Sequence, residues 1–192
     1  MARDDHEVLV SVDVEASGPS PSAGSLIAIG ACLVDQPQVG FYRELQPVDG
    51  MPWNASAERV HQLREAELRR DGIPPAEAMR EFANWIDDVS TGARPVFVGF
   101  NAPFDWMFVA DYFHRFLGAN PFGISALDLK ALYMGRYAVE RWSDTTKGAI
   151  ARRITLDGAH THQALDDARV QADLARQLLA RDGHSSEPAR RT

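Results

Sequence analysis

The sequence of 192 residues has no cysteine pair, no long apolar run and no excess of positive charge. Its single cysteine, Cys32, cannot form an internal disulfide, which agrees with a reducing compartment; the apolar strand pattern around it predicts a small buried side chain. The longest apolar runs, such as LIAIGACLV at 26–34, fall well short of the roughly 20 residues of a membrane helix. The N-terminal residues MARDDHEVLV carry mixed charges, which argues against a secretion signal. These absences predict a soluble, cytoplasmic protein without a membrane partner.

The balance of charge also limits the class of protein. The net charge of −7 and the isoelectric point near 5.3 argue against a protein that coats nucleic acid through bulk electrostatics. An enzyme that acts on nucleic acid stays open, because a metal site concentrates acids and its cations reverse the local field. The window 129–153 concentrates basic residues, which fits either a surface that follows a phosphate backbone or an ordinary solvated surface. Its members are Lys130, Arg136, Arg141, Lys147, Arg152 and Arg153.

Length and patterning predict a single domain over 1–182, followed by a disordered tail over 183–192. Three strand patterns, which begin at Glu7, Ser25 and Gly40, follow one another without a helix and favour a meander. A fourth strand, PVFVGF, lies between helical patterns. Helical spacing predicts helices over 54–70, 75–89, 104–116, 125–137 and 162–181. This order of elements predicts an α/β or α+β fold with a mixed sheet flanked by helices.

Four carboxylates and one histidine stand in three short segments that are far apart in the sequence. Asp13 and Glu15 follow an apolar strand pattern in VDVEASG, and the two-residue period of a strand places both on one face. Like charges this close need cations or protons to coexist. We therefore expect this pair to bind metal. The other members of the set are Asp105 in FNAPFDW, and His162 and Asp167 in HQALDDA.

A set of this kind suits phosphodiester hydrolysis with two divalent cations. Two ions roughly 3.5 to 4 Å apart activate a water at neutral pH and relieve the charge of the transition state. Carboxylates that converge without cysteine favour Mg²⁺ or Mn²⁺ over structural zinc. His162 and Asp167 are about 140° apart around a straight helix, so we expect His162 just before the helix. Histidine titrates near neutrality, which suits a general base.

Simpler roles compete for some residues. Asp105 alone has the residue type of a helix cap, and His160 and His61 are alternative imidazoles. Asp166 points about 100° away from its neighbour on a helix and is expected in solvent, whereas Asp128 is expected to cap a helix. The aromatic residues of the predicted helix 104–116 are expected in the core rather than against nucleobases. These aromatic residues are Phe104, Trp106 and Phe108.

The three segments resemble the motifs of the DEDDh (DnaQ-like) 3′-to-5′ exonucleases, a family that includes oligoribonuclease, RNase T and the epsilon subunit of bacterial DNA polymerase III. VDVEASG is similar to the first motif, D-x-E-T-x-G, and FNAPFD to the second, H-N-A-x-F-D. HQALDDA is similar to the third, H-x-A-x-x-D-A. LIAIGA and AERVHQLREAEL resemble the second strand and the connecting segment. The resemblance covers most of the chain and implies a ribonuclease H-like fold with a central sheet of about five strands.

The resemblance also implies an activity and roles for the five residues. It implies a metal-dependent exonuclease that releases nucleoside 5′-monophosphates from single-stranded RNA or DNA with a free 3′ end. Asp13, Glu15 and Asp167 would hold the catalytic metal. Asp13 would also bridge to a second ion, supported by Asp105, and His162 would be the general base. Further residues are expected to contact the terminal nucleotide, namely Ala16, Ser17, Gly18 and Asn101.

The sequence departs from the family pattern at three places. Ala16 and Ser17 stand where threonine is frequent, and Ala28 replaces a common glutamate. Phe100 replaces the usual histidine before Asn101. These changes affect contacts with the substrate and leave the five-residue set intact. Many members that act alone are dimers, so a homodimer is one expectation; the alternative, an accessory module of a DNA polymerase, is less favoured because the tail is short.

Overall fold

The computed structural model of this protein describes residues 6–156 and 163–180, so the predicted tail at 183–192 lies outside the described residues. One mixed sheet contains the strands β1 Glu7–Ala16, β2 Leu26–Leu33, β3 Gly40–Glu44, β4 Arg94–Gly99 and β5 Ala126–Asp128. Their order across the sheet is β3-β2-β1-β4-β5. The first three strands form the predicted antiparallel meander, and β4 and β5 add to β1 in parallel. The C-terminal ends of β1, β4 and β5 therefore meet at one edge of the sheet.

Seven α-helices and one 3-10 helix accompany the sheet in the described part of the chain. They are α1 Ala55–His61, α2 Glu65–Asp71, α3 Pro75–Ser90, α4 Ala102–Leu117, α5 Leu129–Arg136, the 3-10 helix Trp142–Thr145, α6 Lys147–Ile150 and α7 Ala164–Leu179. The predictions over 75–89 and 104–116 are confirmed by α3 and α4, and α7 confirms the described part of the last helix. None of the described helices combines the length and the apolar character that crossing a membrane requires.

Two predicted helices differ from the structure. The single helix over 54–70 is wrong, because Gln62 adopts a left-handed conformation with φ of 61° and ends α1. The helix over 125–137 begins too early, since its first residues pair with β4 as strand β5. Asp128 follows as the N-cap of α5, and its Oδ1 accepts the Ala131 N–H at 2.7 Å. The prediction that Asp128 caps a helix is therefore confirmed.

Aromatic side chains fill the layer between the sheet and the helices α3 and α4. Phe104 packs on Phe108 with ring centroids 5.4 Å apart, and Trp106 packs edge-on against Phe97 at 5.3 Å. The prediction that the aromatic residues of α4 belong to the core is confirmed. The fully or nearly fully buried aromatic residues of this layer include Phe41, Phe82, Phe97, Phe108, Tyr112, Phe113 and Phe122.

Small residues line the opposite face of the sheet, where α7 packs. The alanines Ala168, Ala172 and Ala175 of α7 are fully buried together with Cys32 of β2. The Cys32 thiol donates to the backbone oxygen of Ala168 at 3.5 Å, and burial raises its pKa to about 11. Cys32 is therefore the small buried residue that its strand pattern predicts. The short side chains let α7 lie close to the sheet.

Candidate active site

The central strand β1 carries Asp13 and Glu15 at its C-terminal end. Ser11, two residues before them, donates its hydroxyl to the backbone oxygen of Ala168 at 2.8 Å, so this face of β1 looks toward α7. The alternate residues Val12 and Val14 are buried in the aromatic layer on the opposite face. Asp13 and Glu15 therefore share one face, as their spacing predicts.

Asp105 is brought to the same end of β1 by helix α4. Pairing of β1 with β4 stops at Ser11, so the N–H of Val14 has no strand partner on that side. The Oδ1 of Asp105 accepts this N–H at 3.0 Å, and only 4% of Asp105 is exposed. Burial, followed by the negative charge of Asp13, raises the pKa of Asp105 well above its ordinary value. The N-cap of α4 is Asn101, and Asp105 instead fixes the helix to the central strand.

Asp167 reaches the cluster because α7 starts almost on top of the sheet. Gly30 lies opposite Asp13 in the pairing of β1 with β2. A side chain at Gly30 would overlap the backbone of Ala164 and Leu165 at the start of α7. Asp167 stands in the first turn of this helix, with 4% of its surface exposed. The positive end of the helix dipole also favours a carboxylate there.

Three carboxylates converge as a result. Asp13, Glu15 and Asp167 each offer one oxygen, and these oxygens all lie within 4.8 Å of one another. Burial, then the charges of Asp13 and Asp167, raise the pKa of Glu15 to about 8, while Lys147 acts in the opposite direction. Such a group is poorly stable without a compensating positive charge. Oxygen donors without thiolates fit a hard divalent cation.

Gln171 is a member of the site that sequence reasoning missed. It is 2% exposed, and its Nε2 donates a short hydrogen bond to Oδ1 of Asp13. Its Oε1 accepts the N–H of Phe100 at 2.9 Å. Gln171 thus connects the end of β4 to the acid cluster and orients Asp13. The available signal was its position one helical turn after Asp167, on the same helix face.

Lys147 is the second residue whose importance the sequence did not single out. It appeared only as one member of the basic window 129–153. In the structure burial raises the pKa of both Glu15 and Asp105, and the charge of Lys147 acts on both in the opposite direction. Its Nζ lies 5.3 Å from the ring centroid of Phe100. A cation thus lies beside the acid cluster.

The predicted contacts with the terminal nucleotide begin directly after Glu15. Ala16 and Ser17 are buried, and the Ser17 hydroxyl donates to the backbone oxygen of Pro52 at 3.1 Å while it accepts the Ser25 N–H at 2.8 Å. A side chain at Gly18 would overlap the backbone oxygen of Ala23. The hydroxyl of Ser17 therefore closes a loop. Contact between 16–18 and a substrate stays a prediction.

Asn101 occupies a turn at the end of β4. Its backbone is left-handed, with φ of 62°, and its exposed side chain accepts a hydrogen bond from Lys130 Nζ at 3.3 Å. The carboxylate of Asp128 accepts the N–H of Ala102 at 2.6 Å and so ties this turn to the end of β5. Hydrogen bonds to β5 and α5 thus hold the turn of Asn101 in place, and its contact with a substrate stays a prediction.

His162 lies outside the described residues, as does the alternative His160. The described helix α7 has Gln163 as its N-cap and starts at Ala164, and the position of His162 stays a prediction. The remaining alternative, His61, is 5% exposed and packs edge-on against Trp53 with ring centroids 5.9 Å apart. Its Nδ1 accepts the Leu63 N–H at 3.0 Å, and burial lowers its pKa. His61 therefore supports the end of α1.

Comparison with known proteins identifies the family of this chain. The family described as the 3′-5′ exoribonuclease Rv2179c-like domain matches residues 8–179. The curated 3′-5′ DNA exonuclease Cap18 from Escherichia coli is 44% identical over 177 residues, which cover 91% of this chain and 92% of Cap18. One family description thus names RNA, and one relative is named for DNA.

Solved structures agree on the fold. The nuclease domain of 3′hExo, a DEDDh family member bound to rAMP, has a TM-score of 0.72 at 15% identity, over 90% of this chain and 91% of that one. Escherichia coli exonuclease I in complex with a dT13 oligonucleotide has a TM-score of 0.67 at 18% identity, over 91% of this chain and 41% of that one.

These similarities confirm the predicted fold class and the resemblance to DEDDh exonucleases. The match spans both β1 and α7, which carry the three converging carboxylates. The chain belongs to the Rv2179c-like 3′-5′ exoribonuclease domain family, and it is a 3′-to-5′ exonuclease, a hydrolase of phosphodiester bonds.

Proposed function

We propose that this exonuclease acts on single-stranded nucleic acid with a free 3′ end and releases nucleoside 5′-monophosphates with the help of two divalent cations. The observation that carries the proposal is the convergence of Asp13, Glu15 and Asp167 from two distant segments to within 4.8 Å. We propose that the domain over 1–182 performs the reaction by itself. A homodimer and a cytoplasmic location stay predictions.

The carboxylates divide into two groups in this proposal. Asp13, Glu15 and Asp167 would hold one ion, and Asp13 would also face a second ion supported by Asp105. The two ions would be Mg²⁺ or Mn²⁺, and when bound they supply water activation and charge relief at the phosphate. Support comes from the all-oxygen donor set and from the raised pKa of Glu15, whose causes are burial and then the negative charges of Asp13 and Asp167.

The remaining residues of the site would handle the proton and the strand end. His162, in H-x-A-x-x-D-A, would accept the proton of the attacking water as general base. Gln171 would hold Asp13 in one orientation through its hydrogen bond to Oδ1. Glu15, the backbone of 16–18 and Asn101 would contact the terminal nucleotide, and the closed loop after Glu15 supports this role, because it gives the backbone a fixed position.

Incubation of the purified protein with a 5′-labelled single strand tests the proposal. With Mg²⁺ or Mn²⁺ we expect progressive shortening from the 3′ end, release of 5′-monophosphates, and complete inhibition by a chelator. Asp13→Asn should lower the rate by about 1,000-fold or more, because metal binding is worth several kcal/mol in the transition state. Asp166→Asn is the matched control, since Asp166 is next to Asp167 but pairs with Arg169 at the surface at 3.0 Å.

Two results would contradict this function. The first is an absence of shortening with either metal, and the second is equal activity of Asp13→Asn and Asp166→Asn. The role of His162 has its own test, because His162→Ala should remove the acidic limb of the pH profile of kcat while thermal unfolding stays unchanged.

For the kind of strand, we propose DNA as the preferred substrate. Support comes from Cap18, the DNA exonuclease that is 44% identical over most of both chains. The family description names RNA, so matched DNA and RNA oligonucleotides should be digested in parallel. A higher kcat/KM for the RNA strand would reverse the preference and leave the reaction class intact, because the 2′-hydroxyl is sensed by only a few contacts.

A further inference from the structure

A continuous series of contacts leads from the acid cluster to the surface. It starts at Asp13, which accepts a hydrogen bond from Gln171, and Gln171 in turn accepts the N–H of Phe100. The next residue, Asn101, accepts a hydrogen bond from Lys130 at 3.3 Å. We call the outer part of this series the lysine–aromatic strip. It consists of Phe100, Asn101, Lys130, Trp142 and Lys147.

Both lysines of the chain belong to this strip, and each lies over an aromatic ring. The Nζ of Lys147 is 5.3 Å from the ring centroid of Phe100, and the Nζ of Lys130 is 4.3 Å from that of Trp142. Trp142 keeps 49% of its surface exposed, which is unusual for so large an apolar side chain. The strip therefore presents ammonium groups and aromatic surface side by side.

This combination matches the chemistry of a single strand. Successive nucleotides offer one phosphate anion and one base face each, and proteins bind them with cationic groups and stacking rings. The strip starts next to the cluster, since Gln171 bonds both Asp13 and the N–H of Phe100, and the Nζ of Lys147 lies over the Phe100 ring. In a protein with a net charge of −7, such a local group of cations favours the approach of a phosphate backbone.

We propose that the lysine–aromatic strip binds the nucleotides upstream of the 3′-terminal one, with Lys147 at the phosphate nearest the carboxylates, and Lys130 and Trp142 on the nucleotides further upstream. This assignment rests on the proposed function, because it requires that the terminal nucleotide occupies the acid cluster. For Lys130 and Lys147 of the basic window 129–153, it favours contact with the phosphate backbone over an ordinary solvated surface.

Initial rates on a dinucleotide and on a 12-nucleotide strand test the assignment. Trp142→Ala should raise KM for the 12-nucleotide strand by about 5-fold or more relative to the change for the dinucleotide. Stacking of one base on an aromatic ring contributes about 1 kcal/mol or more, which corresponds to this factor. Lys130→Gln should reduce the slope of log KM against log salt by about 0.7 for the longer strand. Lys147→Gln should weaken both substrates, because its phosphate lies nearest the carboxylates.

Control variants and the wild-type activity separate a role of the strip from other causes of a change in KM. Arg152→Gln removes one exposed cation from the same window and should leave the salt slope unchanged, whereas Trp142→Phe should restore most of the stacking. Equal changes of KM for both substrate lengths in Trp142→Ala, or a slope in Lys130→Gln equal to that in Arg152→Gln, would overturn the assignment. If wild-type protein is active and Asp13→Asn is not, such a result refutes the strip alone. If wild-type protein shortens neither substrate, the proposed function fails and the strip's role fails with it.

Discussion

The two faces of the sheet are packed in opposite ways. On one face, large rings separate the sheet from α3 and α4; Phe82 stacks on Phe41 and Phe113 with centroids 5.0 and 5.6 Å apart. On the other face, the first turn of α7 approaches so closely that only glycine fits at position 30. The aromatic face holds no member of the acid cluster on its strands, whereas the glycine face carries Asp13 and Glu15.

The difference follows from what each face has to position. Aromatic rings bury much apolar area, and their thickness keeps a helix at a distance from the strand backbone. A carboxylate is a short side chain, so Asp167 reaches the acids of β1 only if the helix backbone itself lies close. The aromatic face therefore stabilises the fold. The glycine face, which we call the thin face because α7 lies so close to it, sets the geometry of Asp13, Glu15 and Asp167. Four predictions test this division, in order of decreasing effect.

The largest effect is expected from Gly30→Ala. The added methyl group overlaps the backbone of Ala164 and Leu165, so α7 must move away from β2. A displacement of about 1 Å lowers activity about 100-fold, because the reacting groups lose alignment; overpacking should also lower the free energy of unfolding by about 1 to 3 kcal/mol. Exonuclease rates well below the midpoint of thermal unfolding measure the first effect, and denaturant titration measures the second.

Gly135→Ala is the matched control for this change. Gly135 lies within α5, and a side chain there meets nothing within 4 Å. Alanine favours the helix, so the control should gain about 0.5 to 1 kcal/mol in stability and keep full activity. Full activity of Gly30→Ala would show that the close approach of α7 is unnecessary for the site.

The next largest effect is expected from Phe82→Ala on the aromatic face. Phe82 is fully buried among several rings, so its loss leaves a cavity and lowers the free energy of unfolding by about 3 to 5 kcal/mol. The folded fraction should nevertheless keep its kcat, because Phe82 lies on the face of the sheet opposite Asp13, Glu15 and Asp167. Denaturant titration and kcat at low temperature separate the two quantities. A selective loss of kcat with intact stability would break the division between the faces.

Residue pattern and periodicity account for part of this architecture. The common face of Asp13 and Glu15 follows from the strand period alone, and the apolar runs predict the meander. Strand β5 was missed because three residues are too short to show a period. The end of α1 was missed because the left-handed Gln62 has no residue-type signal such as glycine.

The site itself was predictable wherever charge marked it. Carboxylates that follow buried strands or open helices are conspicuous, so Asp13, Glu15 and Asp105 stand out in the sequence. Gln171 is neutral, and its role depends on the contact between α7 and the end of β4, which no local pattern encodes. Lys147 similarly looked like any surface cation, because its proximity to Glu15 arises only in the folded chain.

Gln171→Leu tests the hydrogen bonds that support Asp13 on the thin face. It removes the hydrogen bond from Gln171 to Asp13 and the one from the Phe100 N–H to Gln171, while the bulk of the side chain is kept. Loss of such a supporting bond next to a metal ligand lowers metal affinity or activity about 10- to 100-fold. Activity titrated against Mg²⁺ should shift to higher concentrations. Gln177→Leu is the control, since Gln177 lies on the same helix and bonds Thr155 and Asp173; equal shifts in both variants would contradict a specific role.

The last prediction concerns the pH dependence of stability without divalent cations. Glu15 has a pKa of about 8 in the folded protein against an ordinary value of 4.5, so between these values the folded state holds a proton that the unfolded state has released. Stability of the metal-free protein should therefore fall as the pH rises through this range. We expect Tm to decrease across this range, as measured by thermal unfolding in a chelator, and Glu15→Gln should flatten the slope. Added Mg²⁺ should remove the same slope in the wild-type protein, because a bound cation favours the ionised carboxylate that burial disfavours. If neither Glu15→Gln nor Mg²⁺ changed the slope of Tm against pH, the slope would originate outside the cluster. The thin face would then lack the unfavourable burial of like charges that distinguishes it from the aromatic face.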